Sequence, residues 1–129
     1  MTKRILADTC IWIEYFRTTS SLSEELRKLI REDRIVTTGL VILELLHGVK
    51  TSESKKLIKD AMLALAFLET TLDSWIMAGD TGYTFRRKGI TLPATDLLLA
   101  AVAKVNNCSI FTIDSHFKVI PNIDLYSMS

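Results

Sequence analysis

Short runs of adjacent apolar residues alternate along the chain with longer stretches in which apolar side chains recur every three or four positions, the signatures of buried strands and amphipathic helices. Arg4-Ile5-Leu6-Ala7 is the first run and predicts a buried parallel strand ending at Asp8-Thr9. Trp12, Tyr15 and Phe16 then share a face at helical spacing. Ser20 and Ser21 precede Leu22, Leu26, Leu29 and Ile30, the apolar stripe of a second helix ending near Glu32. The β-branched run Ile35-Val36-Thr37-Thr38 predicts a second strand. Gly39 marks the passage into a helix that carries Glu44 and closes at His47-Gly48, with Gly48 expected in a left-handed C-terminal position.

Ser52 or Ser54 is expected to cap the next helix, whose apolar positions run from Leu57 through Leu65 to Leu68. A short strand is expected at Thr70-Thr71-Leu72, followed by a helix capped by Asp73 or Ser74. That helix contains Gly79 and Gly82, each costing about 1 kcal/mol relative to Ala, so another element should pack closely against them. Lys88-Gly89 ends it. Pro93 introduces a helix over Leu97 to Val105 with Asp96 at its start. Ser109-Ile110-Phe111-Thr112-Ile113 predicts a strand leading into Asp114, and a last strand is expected around Leu125-Tyr126.

Strands separated by helices imply an α/β protein with a mostly parallel sheet, right-handed crossovers and helices on both faces. The 129 residues, 48% hydrophobic and 24% charged, suit one globular domain spanning 1–129. No apolar run approaches the roughly 20 residues that cross a bilayer, since even Ala61 to Leu68 is followed by Glu69. Two distant cysteines, Cys10 and Cys108, lack metal-ligand spacing and are expected to be buried thiols of a reduced, cytoplasmic protein. Sixteen Lys and Arg against fifteen Asp and Glu leave a net charge of +1, so total charge does not advertise nucleic-acid binding.

Ligands of parallel α/β sheets bind beyond the carboxyl ends of the strands. That rule makes Asp8 and Asp114 neighbours, and Glu44 and Asp96 lie in helices that could begin at the same edge. Gathered carboxylates repel and call for a cation; Mg²⁺ or Mn²⁺ takes oxygen ligands and phosphate oxygens together. Such an ion activates water against a phosphodiester, so hydrolysis of RNA or DNA follows. Each acid also has a structural reading: Asp8 and Asp114 as helix caps, Asp96 as a partner of a helix dipole, Glu44 as a solvated position within an apolar helix. His47 and His116 form no recognisable ligand pair with another His or Cys.

Four segments in order, Asp8-Thr9, Glu44-Leu45-Leu46-His47-Gly48, Thr95-Asp96-Leu97-Leu98-Leu99-Ala100-Ala101 and Thr112-Ile113-Asp114-Ser115-His116-Phe117, give the chain a pattern that resembles the PIN-domain ribonucleases, especially VapC-type toxins. The resemblance spans nearly the whole chain. It implies a three-layer α/β/α sandwich, metal-dependent endoribonuclease activity on RNA, a homodimer, and inhibition by a cognate VapB-like antitoxin. Carried over by position, Asp8, Glu44, Asp96 and Asp114 are the expected catalytic and metal-binding acids, with Thr9 and Thr112 orienting carboxylates or waters behind them. Cys10 stands where a small polar or apolar residue often follows. Arg86-Arg87-Lys88 and Lys55-Lys56-Lys59 can approach RNA phosphates or form solvated helix surface.

Two other classes fit a small acidic α/β domain. A signalling receiver would carry adjacent acids after its first strand and a lysine near a late strand, whereas here Asp8 precedes Thr9-Cys10 and Asp114 precedes Ser115-His116. A catalytically silent partner-binding module would use the same fold without converging acids.

Overall fold

A computed structural model describes residues 2–128; Met1 and Ser129, the two ends of the expected domain, lie outside the described residues. Strand β1 (Ile5–Ala7) leads into α1 (Thr9–Arg17) and α2 (Ser21–Arg31), then β2 (Ile35–Thr38) into α3 (Gly39–Gly48) and α4 (Ser52–Leu63). Strand β3 (Ala66–Leu68) is followed by α5 (Leu72–Arg87) and α6 (Ala94–Val105), and β4 (Ser109–Phe111) by a short 3₁₀ turn (Ser115–Val119).

The sheet has the order β3-β2-β1-β4 and every pairing is parallel. Ile5, Leu6 and Ala7 of the central β1 are wholly buried. Burial of a single Ile or Leu side chain is worth about 1.5–3 kcal/mol, which explains why a strand only three residues long can anchor the sheet. Steps from β1 to β2 to β3 move in one direction, and the return from β3 to β4 crosses back over both. With right-handed crossovers this puts α1 to α4 on one face and α5 with α6 on the other. The helix contacts divide the same way, α1 against α2 and α3, α3 against α4, and α5 against α6. The order of strand addition therefore reverses between β1 and β4, the place where such sheets open a crevice.

The strands and helices expected from the pattern are largely present, with corrections at their ends. Ala66-Phe67-Leu68, expected as the tail of a helix, is β3, and the strand expected at Thr70-Thr71-Leu72 is instead the cap and start of α5. The reason is pairing: Val36, Thr37 and Thr38 face Ala66, Phe67 and Leu68, and Thr38 Oγ1 donates to the Leu68 carbonyl at 2.7 Å. The helix caps are Thr51 and Thr71 rather than Ser52, Ser54, Asp73 or Ser74; Ser54 and Ser74 supply the amides that these hydroxyls accept. Gly48 ends α3 inside the helix, with extended Val49 after it, and is not left-handed. That role falls to Gly89 (φ +82°), where Gly89 N donates to Arg86 O and Ile90 N to Phe85 O, closing α5.

Of the two glycines within α5, Gly82 is closely packed, since a Cβ there would meet Leu97 Cδ1 at 2.9 Å; Gly79 has open space beside it. β4 stops at Phe111, two residues short of the expected strand, and the last strand is a single parallel bridge between Ile110 and Leu125. Thr112 and Ile113 are thus freed to lead the chain into the crevice.

Candidate active site at the carboxyl edge of the sheet

Three aspartates enter the crevice because each sits where a helical segment begins. Asp8 directly follows β1 and caps α1, its Oδ1 accepting from Thr9 N at 2.7 Å. Asp96 lies in the first turn of α6 after Pro93. Asp114 caps the 3₁₀ turn, its Oδ1 accepting from His116 N at 2.9 Å. The structural readings of these acids are therefore true. They also aim the carboxylates, since unpaired amides at helix starts favour negative charge.

Hydrogen bonds link all four expected acids in one chain. Thr9 Oγ1 donates to Glu44 Oε1 at 2.7 Å while the Thr9 amide holds Asp8. Thr112 Oγ1 donates to Asp8 Oδ2 at 2.8 Å and accepts from the Asp114 amide at 3.0 Å. His116 Nδ1 then lies 2.9 Å from Asp96 Oδ2 and 3.0 Å from Asp114 Oδ1. Thr9 and Thr112 sit at the two junctions.

The acids are not equally close. Asp96, Asp114 and His116 offer ligand atoms that all lie within 4.8 Å of one another, and neither Asp8 nor Glu44 belongs to that tight group. Asp8 is near enough for its charge to act on Asp96. Glu44 is exposed on α3 and joins through Thr9. His116 was unmarked by sequence spacing because its partners are acids rather than a second His or Cys. The signal was there in Asp114-Ser115-His116, since a capping Asp turns the residue two positions later back toward itself.

Burial raises the pKa of Asp96 above the usual carboxylate range, and the charges of Asp114 and Asp8 add to the rise against the lowering influence of His116. Its side chain is 15% exposed. Among the described residues, no lysine or arginine pairs with Asp8, Glu44, Asp96 or Asp114, and His116 is the basic side chain beside Asp96 and Asp114. Hard carboxylate oxygens, partly desolvated and converging, are the donor set that a small divalent ion fits.

Cys10 is half-buried rather than buried and faces this site, its Sγ 3.5 Å from Asp8 Oδ2 and 3.6 Å from Thr112 Oγ1. Burial pushes its thiol pKa up, with the Asp8 charge adding to the rise, which keeps it a neutral donor. Cys108 is buried as expected. A groove of about 350 Å³ opens beside Glu44 between α1, α3 and α4, floored by Phe16, Leu45 and Ile58 and rimmed by Arg17 and Lys50. A larger cavity of about 640 Å³ lies between α5 and α6 and reaches Thr95, next to Asp96.

Comparison with known proteins agrees with this architecture. The PIN domain family model matches residues 5–123. A VapC ribonuclease of Mycobacterium bovis and ribonuclease VapC11 of Mycobacterium tuberculosis are each 32% identical over 125 residues, covering 92% of this chain and 92% of their own. Among solved structures, VapBC2 from Rickettsia felis bound to a promoter DNA fragment superimposes with a TM-score of 0.81 at 24% identity, over 97% of this chain and 98% of that one. VapBC-1 from nontypeable Haemophilus influenzae gives 0.80 at 21% identity, over 95% and 96%. VapC20 of M. tuberculosis, described as a sarcin-ricin loop cleaving toxin, gives 0.70 at 15% identity, over 95% and 99%.

Proposed function

Because this chain belongs to the PIN-domain family, among the VapC ribonucleases, we propose that it is an endoribonuclease toxin, a single 1–129 domain that hydrolyses RNA at the carboxyl edge of its sheet. The observation that carries the reading is the meeting of acids that follow β1, open α6 and follow β4 at the point where the order of strand addition reverses, with no lysine or arginine paired to them among the described residues.

A bound Mg²⁺ or Mn²⁺ would supply Lewis acidity, making a water more nucleophilic and offsetting the charge that builds on the phosphodiester. Asp96 and Asp114 would be the primary holders, with Asp8 completing the set from the end of the neighbouring β1. Thr112 holds the Asp8 carboxylate and the Asp114 backbone amide through one hydroxyl, and the Asp114 carboxylate is held in turn by the His116 amide. Glu44, exposed and tethered by Thr9, stands at the rim, where it can orient a water toward the phosphorus. RNA itself is repelled by bare carboxylates, so productive binding requires their charge to be offset first.

The partners follow from the relatives, several of which are described as VapBC complexes. A VapB-like antitoxin segment would fit the groove beside Glu44, with an apolar floor and charged rim. Exposed Leu63, Leu72, Trp75 and Ile76 at the end of α4 and along α5 supply apolar surface for a homodimer. No described helix is long and apolar enough to cross a membrane, and we place the protein in the cytoplasm, where its RNA substrate lies. The receiver alternative needs a lysine at the acids, and none pairs with them among the described residues.

Incubation of the purified chain with total RNA tests the proposal. Cleavage is expected with Mg²⁺ or Mn²⁺, is expected to stop with chelator, and should be absent from a folded Asp8→Asn protein. Undiminished cleavage under chelation would overturn the metal-dependent mechanism.

A further inference from the structure

We propose that His116 Nδ1 is itself a ligand of the ion held at this site, and that the resulting mixed oxygen and nitrogen set makes the protein favour Mn²⁺ over Mg²⁺. The inference rests on the metal-dependent reading above and goes beyond it, since that reading needs carboxylates alone.

Distance is the first argument. An ion with six ligands at right angles and bonds of about 2.1 Å keeps neighbouring donors about 3 Å apart. His116 Nδ1 is 2.9 Å from Asp96 Oδ2 and 3.0 Å from Asp114 Oδ1, the edge lengths of such an octahedron. A ligand atom from each of these three residues lies within 4.8 Å of those of the other two, whereas Asp8 and Glu44 are outside this set. A proton on Nδ1 would bridge the two carboxylates. With the ring proton on Nε2 instead, the same nitrogen presents a lone pair to the same point in space.

Local chain geometry is the second argument. His116 does not swing in on a free loop. Its amide is held by the carboxylate of Asp114, and the next residue, Phe117, is 1% exposed and anchored in the core. The ring is therefore delivered to the acids by the backbone that positions Asp114. Preorganisation of this kind lowers the entropy lost when a ligand set closes on an ion.

Chemistry sets the preference. Imidazole nitrogen suits first-row transition ions, and Mg²⁺ keeps to oxygen and water. A site built from aspartates alone treats the two ions similarly, and one nitrogen in the set shifts the balance toward Mn²⁺.

The experiment is pulsed electron paramagnetic resonance of Mn²⁺ bound to nitrogen-15-labelled protein, paired with calorimetric titrations of Mn²⁺ and Mg²⁺. A nitrogen-15 coupling on Mn²⁺ is expected in the unaltered chain, retained in His47→Gln and lost in His116→Gln. Manganese affinity should fall by roughly tenfold or more in His116→Gln, the lower bound for losing a group that orders a metal site, while magnesium affinity stays within about twofold. Manganese bound without any nitrogen coupling overturns the inference and leaves the carboxylate mechanism standing. Failure of the unaltered chain to bind either ion overturns both.

Discussion

Two ends of the same four-stranded sheet treat their acids in opposite ways. At the amino end, Asp124 accepts from Ser109 Oγ at 2.5 Å and from Lys3 Nζ at 3.2 Å, and these bonds hold its pKa below the usual range. At the carboxyl end, burial and neighbouring carboxylates raise Asp96 above it. A protein stabilised only for its own sake would distribute its charges in the first manner. The carboxyl end keeps a repulsive arrangement that an external cation would relieve, which is how a binding site differs from a structural ion pair.

The largest effect that would break this contrast is loss of Asp96. Asp96→Asn is expected to lower RNA cleavage by roughly a thousandfold, the upper range for removing one preorganised charge-stabilising group. The same protein should melt at a higher temperature near neutral pH. The sign follows from the raised pKa: the folded state keeps the Asp96 proton to higher pH than the unfolded chain, so ionisation costs stability as pH rises through the folded value. The advantage of Asn should shrink on acidification and vanish below the ordinary carboxylate value of 3.8. Thermal melts across pH check this, and a lower melting temperature at neutral pH would refute it.

Thr112 gives the next effect. Thr112→Val removes the donor to Asp8 and the acceptor of the Asp114 amide. Cleavage should fall by about 10- to 100-fold, with stability reduced by about 1 kcal/mol. Thr112→Ser should restore most of both. Steady-state kinetics with denaturant melts distinguish this from a purely structural role, in which Ser and Val would fail alike.

Asp124 gives the smallest. Asp124→Asn is expected to leave cleavage unchanged and to cost less than about 1 kcal/mol, since the pair is exposed and screened. Its pH dependence should run opposite to that of Asp96. A lowered carboxylate contributes stability that is present above 3.8 and lost as pH falls through the folded value, so the deficit of the Asn protein should disappear in acid. Parallel melts of the two variants therefore test the contrast directly.

Local pattern carried much of this far. Ile35–Thr38 was legible residue for residue because β-branched side chains in a row leave little alternative. Strand β3 was not, because Ala66-Phe67-Leu68 continues the apolar content of α4 and becomes a strand only when β2 offers hydrogen-bonding partners. The caps were misplaced by one to three residues for a related reason: Thr51, Ser52 and Ser54, like Thr71, Asp73 and Ser74, are all competent acceptors, and the local fold decides which one turns the chain.

The chain by itself determined that acids follow strands, that helices separate those strands, and that Thr9 and Thr112 flank the acids, since these are facts of order and spacing. Only the tertiary structure decided how close the acids come. It set Asp96 beside Asp114, tied Glu44 at a remove through Thr9, turned Cys10 toward Asp8, and delivered His116 between two carboxylates. The physical reason is that strand order is fixed by packing between residues far apart in sequence, and the crevice between β1 and β4 exists only once the chain has crossed back over the sheet.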